Sequence, residues 1–224
     1  MKFLKNKNQS RRTKKKGIIF VGSKTPTTRK VAKFYKVAPF PNYNDFQNKT
    51  DLLRILSENE FLKDLKETIG FNKRFIEVGS GTSQLSLALA VGTNNEIVAL
   101  DPTEESLALG VKFALKNNIT NVNFLNADIF EDSIKHGYFD FVWCSGVIHH
   151  TESTEQAFKI ISSWVKPGGT LILGLYNSYG RLRTNFRQML YKILGGKRLA
   201  RKIVSLLDPV LRKNISEVKR EAWI

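Results

Sequence analysis

A chain of 224 residues is long enough for one full domain core with terminal extensions. No apolar run approaches the roughly 20 residues that a membrane-spanning helix needs. The single cysteine, Cys144, excludes an internal disulfide, so a soluble protein of the reducing cytoplasm is expected. The net charge of +16 is uneven: residues 1–36 hold 13 Lys/Arg and no acid, 37–178 hold 11 against 17, and 179–224 hold 12 against 3, which leaves a mildly acidic centre between two basic ends.

In chain order, residues 1–27 read as a basic disordered tail, because Arg11-Arg-Thr-Lys-Lys-Lys16 brings charge and little to bury. Gly17–Gly22 lies too far from a cleavage-like site to be a signal peptide. Such a tail offers a contact to nucleic acid or anionic lipid, beside the plainer reading of a solvated segment. Residues 28–70 read as an N-terminal arm and helix, a lid or cap. The arm carries Phe34, Tyr35, Phe40 and Tyr43, and Pro39 and Pro41 forbid one continuous helix. Core packing is the expectation for Phe34 and Phe40, against closure over a ligand. Apolar residues from Leu52 to Ile69 follow helical spacing and stop at Gly70.

Residues 71–178 alternate strand and helix. Strands are expected at 75–79, 96–101, 122–127, 139–145 and 170–175, with helices at 83–91, 103–117 and 153–165, the last ended by Pro167-Gly168-Gly169. Near-continuous apolar strands separated by helices mean an α/β protein: a three-layer, doubly wound, mainly parallel sheet covered on both faces. Ligands of such sheets bind at the carboxyl ends of the strands, near the switch in strand order.

The first of these strand ends, Glu77-Val-Gly79-Ser80-Gly81-Thr-Ser-Gln84, has two glycines that let the backbone turn tightly and come close to a ligand. Twenty residues beyond Gly81 the next strand ends in Asp101, the distance expected of a carboxylate that holds ribose hydroxyls. Gln84 stands where a dinucleotide fingerprint has its third glycine, which favours a ligand without a pyrophosphate. At the third strand end Asp128 can accept from an exocyclic amine, and Ile129 can lie against an aromatic base.

With Glu77-Val-Gly-Ser-Gly81, Asp101-Pro-Thr, Asn126-Ala-Asp128, Phe139-Asp-Phe-Val and Lys166-Pro-Gly-Gly169 in this order, residues 75–177 resemble the class I S-adenosylmethionine-dependent methyltransferases. The resemblance implies a Rossmann-like fold and S-adenosylmethionine as cofactor. The implied cofactor-binding residues are Glu77, Gly79, Ser80, Gly81, Gln84, Asp101, Pro102, Asp128, Ile129 and Ser145. Gly79 and Gly81 would approach the methionine part, Asp101 the ribose, and Asp128 with Ile129 the adenine. No metal site is assigned. His149 and His150 follow the fourth strand and are the candidate bases. In an extended segment they would point in opposite directions, so at most one faces the acceptor, and the alternative is a histidine that only binds backbone. Tyr176, Asn177, Tyr179 and Arg181 follow the fifth strand, a candidate acceptor pocket for an anionic small molecule, with ordinary surface residues as the alternative.

Members of this family usually close the sheet with an antiparallel edge hairpin after the fifth strand, and none is visible. Residues 179–224 read instead as a basic helical segment, either a replacement for the hairpin or the start of a truncated one; a fragment of a longer protein is the preferred reading. Its cations beside an apolar face also invite a membrane-surface reading, against a helix packed on the domain. The leading function is methyl transfer to a small-molecule acceptor. The alternatives are an RNA methyltransferase that uses the basic termini, and a non-catalytic protein of the same fold.

Overall fold

Apolar residues that alternate along each strand separate the two faces of one sheet. Ile76, Val78, Val98 and Leu100 enter one core, Phe75, Ile97 and Ala99 the other. The structure is a computed structural model that describes residues 1–6, 12–37, 39–41, 43 and 48–176, together with Met189 and Ile193. The chain divides into a unit Met1–Leu175, which contains all the strands of the described residues, and a unit Tyr176–Ile224. The expected basic helical segment over 179–224, and with it the question of the edge hairpin, lies outside the described residues except for Met189 and Ile193, which are helical and exposed.

The strands are β1 (Thr13–Lys15), β2 (Ile18–Phe20), β3 (Arg74–Val78), β4 (Glu96–Leu100), β5 (Val122–Asn126), β6 (Phe139–Ser145) and β7 (Val165–Gly174). The helices are α1 (Pro26–Val37), α2 (Lys49–Glu58), α3 (Glu60–Ile69), α4 (Gln84–Ala90), α5 (Glu104–Lys116) and α6 (Thr154–Ser163). The sheet runs β1-β2-β5-β4-β3-β6-β7, and every pairing is parallel except β1 with β2. The expected mainly parallel, doubly wound α/β sheet is therefore present, and strand order switches between β3 and β6. Helices α2 to α5 cover one face, and α6 covers the other.

Four local expectations are corrected. Residues 1–27 are not a disordered tail as far as they are described. Ile18–Phe20 pair in parallel with Phe124–Asn126, while Phe3 and Leu4 are 0 % exposed in the α6-side core. The physical reason is a gap in that layer. The crossover from β5 to β6 has only a 3-10 turn, Ile129–Glu131, where a helix would cover the sheet, and Phe3 and Leu4 fill the space. Lys5 then pairs with Asp132, and Leu4 bridges to Ile134.

The single helix expected from Leu52 to Ile69 is two helices. Asn59 breaks them in extended geometry, and its side chain accepts from the Leu62 N–H, which favours a new start over continuation. Phe34 and Phe40 are not core residues, being 55 % and 69 % exposed; Thr28 and Val31 occupy the side of α1 that faces the sheet end. Finally, β7 begins at Val165, before the Pro-Gly-Gly turn expected to precede it. Among the described residues β7 is an edge strand, where a proline costs no ladder bond.

Candidate functional site

The carboxyl ends of β3, β4 and β5 bring three carboxylates together. The loop after β3 is tied down first: the N–H groups of Gly79 and Ser80 both donate to the Leu100 carbonyl at the end of β4 (2.8 and 3.0 Å). Gly79 and Gly81 have φ of +70° and +52°, a region costly for side-chain-bearing residues. The crowding at each is by protein atoms. A Cβ on Gly79 would run into Val147, and one on Gly81 into the Phe40 carbonyl.

Asp101 is buried and accepts from the Gly81 N–H (2.8 Å) and the Thr103 N–H (2.7 Å). Burial pushes its pKa up to about 6, against the pull of those two donors. Asp128 is buried as well. It accepts from the Phe130 N–H on Oδ1 (3.1 Å) and, on Oδ2, from the Thr25 N–H (2.8 Å), which belongs to the segment between β2 and α1. A carboxylate has about four lone-pair sites, so each of these groups keeps capacity for further donors such as ribose hydroxyls or an adenine amine. Glu77 takes the Ser86 N–H and hydroxyl on one oxygen, and burial lifts its pKa to about 7.

Two cavities flank the glycine loop. A slot of about 60 Å³ holds Gly79, Pro102, Asp128, Ile129 and His150 on its inner side and is roofed by Thr28 and Val31 of α1. A chamber of about 200 Å³ on the other side of the loop holds Glu77, Ser80 and Gln84 against Pro41 and the apolar faces of α2, α3 and α4. Of the implied cofactor-binding residues, Gly79, Pro102, Asp128 and Ile129 thus line the slot and Glu77, Ser80 and Gln84 the chamber, whereas Gly81, Asp101 and Ser145 line neither. Ser145 is exposed and packs on Gly174 of β7.

His149 and His150 do not point apart. They sit on a 3-10 turn, Ile148–His150, whose tighter winding places the rings together, with centroids 4.1 Å apart and the two Nε2 atoms at 3.0 Å. His150 reaches the slot beside Val147. Tyr176 is exposed and opens the second unit, while Asn177, Tyr179 and Arg181 lie outside the described residues. Cys144 is buried, and burial pushes its thiol pKa up to about 12, which leaves it inert as a nucleophile.

Sequence reasoning reads residues 28–70 as a lid or cap but does not assign Thr25, Thr28, Val31 or Pro41 to the site. Thr25, Thr28, Val31, Pro41 and Tyr43 come from the segment read as tail and arm. The Tyr43 hydroxyl donates to the Thr82 carbonyl (2.7 Å), and the Thr82 hydroxyl donates to the Pro41 carbonyl. Lys24 is half-buried near the same acids; burial lowers its pKa, while Glu104, Asp101, Glu105 and Asp128 oppose the shift. A local signal exists in Thr25-Pro26, a capping residue before a proline at the first helical position. It gives the helix start but not its place above the slot.

A doubly wound sheet with buried carboxylates at neighbouring strand tips, and no third glycine to cradle a pyrophosphate, defines a Rossmann-like nucleoside-binding protein. Residues 70–204, more than half of the chain, match the family model described as a methyltransferase domain, and the chain belongs to that family, the S-adenosylmethionine-dependent methyltransferases. A mitochondrial ubiquinone biosynthesis O-methyltransferase of Dictyostelium discoideum is 26% identical over 137 residues, covering 57% of this chain and 41% of that protein. The chain spans less than half the length of the curated relatives it matches. Among solved structures, PKMT2 of Rickettsia typhi in complex with AdoHcy superposes with a TM-score of 0.54 at 18% identity, covering 67% of this chain and 32% of that one. Phosphoethanolamine N-methyltransferase 1 of Haemonchus contortus, in complex with phosphoethanolamine and S-adenosylhomocysteine, gives 0.52 at 16%, covering 66% of this chain and 31% of that one. Both likenesses concern the fold.

Proposed function

We propose that the chain transfers a methyl group from S-adenosylmethionine to a small-molecule acceptor at the carboxyl ends of the strands, where the slot and the chamber flank the glycine loop. The carrying observation is the pair of buried, backbone-tethered carboxylates, Asp101 and Asp128, at the tips of the neighbouring strands β4 and β5, Asp128 in the lining of the slot and Asp101 between its lining residues Leu100 and Pro102. Asp101 would hold the ribose, Asp128 and Ile129 the adenine, and the Gly79–Gly81 loop with Glu77 and Gln84 the amino-acid end. An acidic, phosphate-averse site of this kind suits a cofactor with a sulfonium and an ammonium group. When bound, the cofactor supplies an electrophilic methyl group on positive sulfur.

The residues of the chain then have three tasks. Thr28 and Val31 of the roof, with Pro41, exclude water, which removes the competing nucleophile. Loop and carboxylates fix the cofactor so that attack is in line. The His149–His150 pair takes the acceptor proton; a ring nitrogen at 3.0 Å from a second one can share that proton with its neighbour. Tyr176, Asn177, Tyr179 and Arg181 are proposed to favour an anionic acceptor, by the bidentate reach of the guanidinium. The ubiquinone-pathway relative, named for methylation of a small molecule, supports this reading.

His149→Ala and His150→Ala test the base. One of them should lower turnover at least a hundredfold with cofactor affinity intact, and full turnover in both would remove the pair from the mechanism. Incubation with labelled cofactor and a cell extract separated into RNA, protein and metabolite fractions locates the acceptor. The label is expected in the metabolite fraction. Cofactor binding with no transfer to any fraction would favour the non-catalytic reading.

A further inference from the structure

Only some of the N-terminal cations serve the acidic core they fold against, Lys24 among them beside Asp101 and Asp128. Of those described, Lys5 pairs with Asp132 and Lys36 with Glu105. Arg12, Lys14, Lys15, Lys16, Arg29, Lys30 and Lys33 make no ion pair with a described residue, although residues 37–178 carry more acids than bases. Charge on the open edge of β1 has a simple explanation, since lysines there block edge-to-edge pairing. That explanation does not extend to α1.

Helix α1 is two-sided. Thr28 and Val31 face the slot, whereas Arg29, Lys30, Lys33 and Lys36 lie on the outer side with Phe34 among them, and Phe40 follows beyond the helix end. A helix that lies in a bilayer surface needs a broad apolar face turned outward. Here Phe34 is the one large apolar residue among the described exposed side chains of the helix, and Val31 is turned to the slot. Spaced cations interleaved with exposed aromatic rings instead match a sugar–phosphate backbone with unstacked bases, and a duplex would keep its base faces from those rings.

We propose that the outward face of α1, with Phe40 beyond its end, is a docking surface for single-stranded nucleic acid beside the cofactor slot. The surface does not depend on which acceptor is methylated. Because the same helix roofs the slot, a docked strand lies next to the cofactor.

The test is fluorescence anisotropy of the full chain with a labelled oligouridine of about 20 nucleotides, long enough for one single-strand site, at salt from about 50 to about 200 mM. The wild type should bind with a steep salt dependence. Arg29→Glu/Lys30→Glu/Lys33→Glu should weaken binding at least tenfold at about 50 mM salt and flatten the log–log salt slope by about 2, at about 0.7 per phosphate contact. Phe34→Ala should lose about fivefold or more with the slope unchanged, as expected for lost stacking. Cofactor affinity, measured in parallel by calorimetry, should be unaltered, which separates this surface from the cofactor site. If the charge reversal disturbs cofactor binding through misfolding, Phe34→Ala decides alone. No binding by the wild type, equal binding by the variants, equal affinity for duplex RNA, or binding to phosphatidylserine vesicles without binding to the oligonucleotide would each overturn the proposal.

Discussion

The slot has two walls of different origin. Its inner wall is made at the tips of β3, β4 and β5, where each carboxylate or glycine sits at the end of a strand whose position follows from local pattern. Its roof comes from Thr28 and Val31, which reach it because β2 pairs with β5 and brings the chain to the end of the sheet. The inner wall is local in sequence and the roof is long-range. The two meet at Asp128, which accepts from its own turn at Phe130 and from the strap at Thr25.

The largest expected effect tests whether the N-terminus belongs to the fold. Phe3 is 0 % exposed and packs in the α6-side core, so Phe3→Ala should cost about 3–5 kcal/mol in denaturant unfolding. A loss below about 1 kcal/mol would return residues 1–6 to the status of a tail. Next, Gly81→Ala sharpens the contact between the walls. Its left-handed φ of +52° costs a side-chain-bearing residue about 1–2 kcal/mol, and the new Cβ meets the Phe40 carbonyl. Cofactor affinity should fall about tenfold or more, and cleavage by protease within the arm should quicken. Unchanged affinity would mean that the arm and the loop are independent.

The smallest effect is the response to pH. Burial raises Asp101 to about 6 and Glu77 to about 7, above the ordinary carboxylate range of about 4 in the unfolded chain. Between those values the folded protein holds protons that the unfolded chain has lost. This contribution to stability is fully present below about pH 4 and disappears as pH rises through about 6 and 7. The cofactor-free protein should therefore melt at a lower temperature at about pH 7.5 than at about pH 5.5. Hydroxyl donors and the cofactor's positive charge favour the ionised forms, so binding should tighten over the same window and release protons. Calorimetry in buffers of different ionisation heat reads that release, and proton uptake would contradict the assignment.

Much of the candidate site at the strand tips is legible in the sequence. Gly79, Gly81, Asp101 and Asp128 stand at strand ends set by alternating apolar residues, and two-residue periodicity is a local property. The illegible features depend on other parts of the chain. Thr13–Phe20 is too short and too charged to announce itself, and it becomes two strands because the edge of β5 offers a template. The histidine pair escapes a reading that extends the backbone past β6, because the chain winds into a 3-10 turn there instead. Hydrophobicity alone assigns Phe34 and Phe40 to the core, although an aromatic residue on a helix is placed by which side of that helix is covered.

Asp101 bears the account most directly, because it joins the glycine loop to the expected ribose position. Titration of S-adenosylmethionine into the wild type and into Asp101→Ala at about pH 7.5, where the carboxylate is ionised, measures its part, with circular dichroism to confirm the fold. One equivalent should bind to the wild type, and the variant should lose roughly a hundredfold in affinity, about 3 kcal/mol for hydrogen bonds to a charged acceptor. Equal affinity in the two proteins, or no binding to the wild type, would contradict the placement of the cofactor at the ends of β3, β4 and β5.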